Sequence, residues 1–73
     1  MPLSLLPYRE VVRKLEAAGF VEMTQKGSHV KFVKHGDEET CTVIVPRHRE
    51  ITVGALRSIA RQARLTIDKF EAL

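Results

Sequence analysis

The 73 residues predict an α+β domain in which helices cover one face of a three-stranded antiparallel meander. Three observations carry this. Tyr8, Val11, Val12, Leu15 and Ala18 recur at helical spacing and stop at Gly19. Three runs of alternating apolar and polar residues follow, joined by short polar turns. Leu56, Ile59, Ala60 and Ala63 then form a second helical stripe. A sheet with one apolar face must bury it, and the helical stripes supply the matching surface.

Residues 1–6 read as a loose lead-in. Pro7 suits the first helical position, where its missing N–H costs nothing. Arg9, Arg13, Lys14 and Glu16 fall opposite the apolar stripe of the first helix. Gly19 is placed for a left-handed stop, with Phe20 folding back onto Leu15. A strand from Phe20 to Lys26 puts Val21 and Met23 on one face and Glu22 and Thr24 on the other. Gly27-Ser28 is the shortest hairpin connection. The next strand runs His29 to Lys34, and His35-Gly36-Asp37-Glu38-Glu39 is a polar turn. In the third strand, Thr40 to Val45, Cys41, Val43 and Val45 face the core, while Thr42 and Ile44 share the open face with His29. Pro46 ends it. Arg47 to Ile51 is a basic loop. Thr52 is an N-cap for the second helix and Thr66 for a short third one, with Asp68 near its positive end. Ile67 and Phe70 tuck that piece onto the body.

A chain this short is one domain with a thin core, burying about 60% of its unfolded surface. Formal net charge is +3 and the pI about 9.4, a weak pointer to a polyanionic partner. Aromatics are limited to Tyr8, Phe20, Phe32 and Phe70, which argues against an RNA-stacking platform. The single cysteine, Cys41, excludes an internal disulfide and fits a reducing cytosol. No apolar run is long enough to span a bilayer. The opening Met1-Pro2-Leu3-Ser4-Leu5-Leu6-Pro7 has no basic n-region, so it does not read as a signal peptide. These features place the chain in the cytoplasm, away from membranes.

The stretch Lys26-Gly27-Ser28-His29-Val30-Lys31-Phe32 holds the candidate chemistry. If Val30 and Phe32 face the core, period-two alternation turns His29 and Lys31 to solvent. An imidazole can take or give a proton near neutrality. Lys26, Lys31 and the bare N–H groups of Gly27 and Ser28 can stabilise developing negative charge on a phosphodiester. Taken alone, the triplet also fits an ordinary exposed strand histidine. His48, taken alone, reads as a surface loop residue. His35 reads as solvated. The three histidines follow no zinc spacing, so neither metal nor other cofactor is expected. Cys41 faces the core and lacks the exposed, electropositive setting of a nucleophile. Arg57, Arg61 and Arg64 form a basic stripe, suited either to a phosphate backbone or to solvent.

Leu15-Glu16-Ala17-Ala18-Gly19-Phe20, Gln25-Lys26-Gly27-Ser28-His29, and Val43-Ile44-Val45-Pro46-Arg47-His48 through Leu56-Arg57-Ser58-Ile59-Ala60-Arg61-Gln62-Ala63 together resemble the HicA toxin family. These are small bacterial mRNA-cleaving toxins. The resemblance implies a fold like the double-stranded RNA-binding domain and endonucleolytic RNA cleavage with His29 as the catalytic residue. It also implies a HicB-type antitoxin that covers the site. Lys26, Gly27, Ser28, Lys31, His48, Arg57 and Arg61 are then the expected RNA contacts; His48 matches a recurrent family position and reads there equally as a second proton-transfer or phosphate group and as a surface loop residue. Two departures stand out. The family's glycine-threonine-leucine is here Gly54-Ala55-Leu56, which removes a hydroxyl. The glycine that usually ends the second helix is Arg64, which puts the left-handed stop in doubt and leaves open a merger of the two C-terminal helices beside the separate short helix expected from Thr66. Two other classes stay open: a non-catalytic module that binds structured RNA through the second helix, and a scaffold that only docks a protein.

Overall fold

The computed structural model describes residues 3–73. In chain order the elements are a two-residue strand β1 (Leu6–Pro7), helix α1 (Tyr8–Ala17), strands β2 (Val21–Lys26), β3 (His29–His35) and β4 (Thr40–Pro46), a second two-residue strand β5 (Glu50–Ile51), and helices α2 (Val53–Gln62) and α3 (Ile67–Ala72). The main sheet has the order β2-β3-β4, all antiparallel, which is the expected meander. Val30 and Phe32 of β3 and Val43 and Val45 of β4 meet Val11 and Leu15 of α1, Leu56, Ile59 and Ala60 of α2 and Phe70 of α3 in one cluster, each at most 1% exposed. Burying each larger side chain contributes about 1.5–3 kcal/mol. The helices therefore lie on one face of the sheet, the arrangement of a double-stranded RNA-binding domain.

The alternation of β4 and β3 is as expected. Cross-strand pairs His29 with Pro46, Lys31 with Ile44 and Val33 with Thr42 place these side chains on the face away from the helices. In β2 the expectation fails. Glu22 pairs with Phe32 but Thr24 pairs with Lys31, because one extra residue bulges the strand between them. Glu22 and Thr24 thus stand on opposite faces, and Val21 shares the open face with Thr24. Every residue of β2 is exposed, Val21 at 61% and Met23 at 55%.

The lead-in and the basic loop are not loose. Leu6 pairs with Ile51 and Pro7 with Glu50, and the Tyr8 N–H donates to the Arg49 carbonyl at 3.4 Å. Ile51 is 1% exposed, and Leu3 and Leu6 pack against the core. A two-residue pairing has no period for a sequence pattern to reveal. Met1 and Pro2 lie outside the described residues.

Helix ends follow their residues. Gly19 adopts φ 99°, and the Phe20 N–H reaches the Leu15 carbonyl at 2.9 Å, closing the left-handed cap. Thr52 accepts from the Ala55 N–H at 3.3 Å, so the hydroxyl missing at residue 55 is not the one that caps α2. Thr66 caps α3 in the same way, at 3.1 Å from the Lys69 N–H. Arg64 settles the doubt over the left-handed stop, and the separate short third helix is as expected. Arg64 takes φ 61° itself, and the Leu65 N–H closes onto the Ala60 carbonyl at 2.9 Å, so α2 and α3 stay separate. The left-handed conformation crowds Cβ against the following carbonyl. Glycine at this position is therefore expected to raise the melting midpoint by about 5 °C. Loss of the Arg64–Glu39 pair, 2.7 Å long and exposed on both sides, offsets little. Calorimetry of Arg64→Gly checks this.

Lys14 also departs from its expected solvent face. It is 7% exposed, and its Nζ donates to the carbonyls of Phe70, Glu71 and Leu73 at 3.3, 2.9 and 3.1 Å. A cation at the negative end of α3 satisfies carbonyls that the helix leaves free. Lys14→Met keeps the volume but removes all three bonds, and is expected to cost about 1–3 kcal/mol in denaturant unfolding.

Candidate functional site

Gly27 has φ 60° and Ser28 does not, the signature of a two-residue turn with glycine first. The turn hands the chain from Lys26 directly to its cross-strand partner His29. Val30 and Phe32 are fully buried, so His29 and Lys31 point the other way, and both are exposed. The open face carries Val21, Thr24 and Lys26 from β2, His29, Lys31, Val33 and His35 from β3, and Thr40, Thr42 and Ile44 from β4. It holds no carboxylate, since Glu22 is on the helix side. A lysine precedes the turn and another follows His29, and none of the paired strand residues described on that face is acidic.

The loop after β4 closes onto the turn. His29 pairs with Pro46, and the next residue, Arg47, donates its backbone N–H to the Ser28 carbonyl at 2.6 Å. The Arg47 guanidinium lies 5.7 Å from the centroid of the Tyr8 ring and its Nη1 donates to Gln25 Oε1 at 2.7 Å. Burial and then the Glu22 carboxylate hold the Tyr8 hydroxyl above its ordinary pKa, with Arg47 opposing them. His48 is exposed in the same loop, its N–H donating to the Pro46 carbonyl at 2.9 Å.

Lys26, Gly27, Ser28, His29 and Lys31 are thus brought together, with the His48 loop docked beside the turn. Arg57 and Arg61 are not on the open face. They line an open groove of about 410 Å³ between α2 and α3, with Ala60, Leu65, Thr66 and Ile67. Among the described residues the only ion pairs are Arg13–Glu10 and Arg64–Glu39, so Arg57 and Arg61 keep their charge free while Arg64 does not. Arg47 and Gln25 are contributors that the sequence reading missed. The two-residue hairpin fixes only Lys26 opposite His29; Arg47 arrives through the β3–β4 register, set by the longer connection between His35 and Thr40, and no local motif marks it. His35 is exposed, with Nδ1 3.4 Å from the Thr40 hydroxyl. Cys41 is half-buried and donates to the Gln62 carbonyl at 3.0 Å, as its inward position requires.

No curated protein sequence matches the chain. A family model described as the HicA toxin of bacterial toxin–antitoxin systems matches residues 8–65, from the start of α1 through the cap of α2. That span includes the glycine-serine-histidine turn, all three strands of the main sheet and the loop bearing His48. With most of its length matched and the fold that the resemblance implied, this chain belongs to the HicA toxin family.

Proposed function

We propose that the protein is a metal-independent endoribonuclease that cuts mRNA and so arrests translation and growth, with His29 as its catalytic residue. The observation that carries this is the exposed His29 imidazole on a carboxylate-free sheet face, between Lys26 and Lys31 and directly after a tight turn. RNA supplies its own nucleophile. The 2′-oxygen attacks the adjacent phosphorus and loses its proton, and the P–O5′ bond breaks as the 5′-oxygen gains one. His29 serves this exchange as base or acid. His48, in the loop docked on the turn, is the candidate for the second proton transfer or for a phosphate contact. Lys26, Lys31 and the N–H groups of Gly27 and Ser28 stabilise the charge that builds on the phosphoryl oxygens.

The products are a 2′,3′-cyclic phosphate and a 5′-hydroxyl. End-group analysis of cut RNA tests this, and a 3′-hydroxyl with a 5′-phosphate rejects it. Membership of a toxin–antitoxin family implies an antitoxin partner. We place that partner over His29, where it blocks the open face. The reaction takes place in the cytoplasm, where mRNA is; among the described residues no helix is long and apolar enough to cross a membrane.

A second reading has one observation in its favour. Arg57 and Arg61 carry free charge on the helical layer, away from His29, as a non-catalytic structured-RNA module would use them. In the nuclease they extend the grip on the RNA backbone. Arg57→Ala or Arg61→Ala is expected to weaken RNA binding and to lower the slope of log affinity against log salt by about one unit per lost contact. Filter binding across a salt series measures it, and an unchanged slope returns these side chains to solvent.

A further inference from the structure

The turn before His29 is held by a network that the cleavage scheme leaves unused. Gln25 Nε2 donates to the Gly27 carbonyl at 3.2 Å, and the Arg47 backbone N–H donates to the Ser28 carbonyl at 2.6 Å. The two holders also hold each other, through Arg47 Nη1 and Gln25 Oε1 at 2.7 Å, and the guanidinium rests against Tyr8 at the start of α1. Both carbonyls of the turn are therefore fixed.

In a trans peptide the C=O and the N–H point in opposite directions. Fixing the Gly27 carbonyl thus fixes the Ser28 N–H. Gln25 pairs with Val30, whose side chain is in the core, so its amide approaches the turn from the helix side. The Ser28 N–H is then turned toward the opposite face, the one that carries His29. Turning the Gly27–Ser28 peptide over rotates ψ of Gly27, which glycine tolerates, and drives φ of Ser28 positive at only a modest cost, so without its holders the peptide is weakly fixed. We propose, resting on the nuclease reading, that Gln25 and Arg47 are positioning residues that lock this peptide so that the Ser28 N–H is presented to the phosphoryl oxygen beside His29. Neither side chain needs to touch the RNA. Their effect is on the rate of the chemical step, because a donor aimed in advance at developing charge needs no reorganisation when the charge appears.

The test uses the full chain with Gln25→Glu and Arg47→Ala, in single-turnover cleavage of a synthetic RNA oligonucleotide. Gln25→Glu keeps an acceptor for Arg47 but removes the donor to Gly27. Arg47→Ala keeps the backbone bond to Ser28 but leaves Gln25 without its anchor. Each is expected to lower the saturating rate constant by about tenfold or more, with half-saturation within about twofold of wild type. A raised half-saturation with an unchanged rate constant in Arg47→Ala makes Arg47 a substrate contact and overturns the proposal. So does an unchanged rate constant in Gln25→Glu. A second readout does not depend on cleavage. In ¹H–¹⁵N spectra, inorganic phosphate is expected to shift the Ser28 amide in the wild type and to shift it much less in either variant. An equal shift in all three overturns the lock. A wild-type chain that leaves RNA intact overturns the nuclease reading, and the amide readout still decides the lock.

Discussion

His29→Ala is expected to abolish RNA cleavage and leave the fold intact. A side chain that moves a proton in the transition state contributes about 10²–10⁴-fold, and the variant is expected to lose at least the lower figure. The stability cost is small because the ring is exposed on an uncovered sheet face. Surface substitutions of this kind stay within about 0.5 kcal/mol. Cleavage of labelled RNA beside a thermal melt separates the two effects. A variant that melts early and is inactive for that reason contradicts this account, since the ring is then structural.

Phe32→Ala is expected to have the largest effect on stability. Phe32 stands three residues from His29 on the same strand, on the opposite face, and is fully buried. It pairs with Val43 across to β4 and with Glu22 across to β2, so it lies at the centre of the sheet. Removing a buried phenylalanine costs about 3–5 kcal/mol. Small domains have only about 5–15 kcal/mol in total, and a chain of this length belongs at the low end. The variant is expected to melt tens of degrees lower or to be largely unfolded at 37 °C. Denaturant unfolding followed by circular dichroism measures it. Loss of less than about 1 kcal/mol would mean that the sheet does not depend on this contact.

These two residues show what the sequence made legible. Alternation from a two-residue turn assigns Val30 and Phe32 to the core, and so His29 and Lys31 to solvent. That inference needs only the strand period, and the structure agrees with it. The Gly19, Thr52 and Thr66 helix ends were legible for the same local reason: each is set by one residue's backbone preference or hydroxyl. What stayed hidden was non-local or non-periodic. The bulge in β2 puts Glu22 and Thr24 on opposite faces, and nothing in Val21-Glu22-Met23-Thr24 marks an extra residue. Lys14 looked like a solvent cation because its three carbonyl partners lie more than fifty residues away. The pairing of Leu6-Pro7 with Glu50-Ile51 likewise joins segments far apart in the chain.

At the site, the divide is similar. Lys26 through Lys31 are consecutive, so their grouping follows from one hairpin. Arg47 and Gln25 join it through register and through side-chain bonds that no motif encodes. Arg57 and Arg61 read correctly as an exposed stripe, but helical periodicity gives only the angle around α2. Their place beside α3, away from the open face, depends on how the short third helix packs. Arg64 left the cap in doubt for a different reason. Glycine is the usual residue at a left-handed cap, but an arginine adopts φ 61° there while the cap's Leu65–Ala60 bond still forms.

Induced expression in a bacterium, wild type against His29→Ala, with transcript integrity followed alongside growth, tests the central claim most directly. The account predicts that the wild-type chain stops growth and fragments mRNA while the variant, present at equal level, does neither. Arrest of equal depth by both proteins, or arrest with transcripts intact, would contradict it.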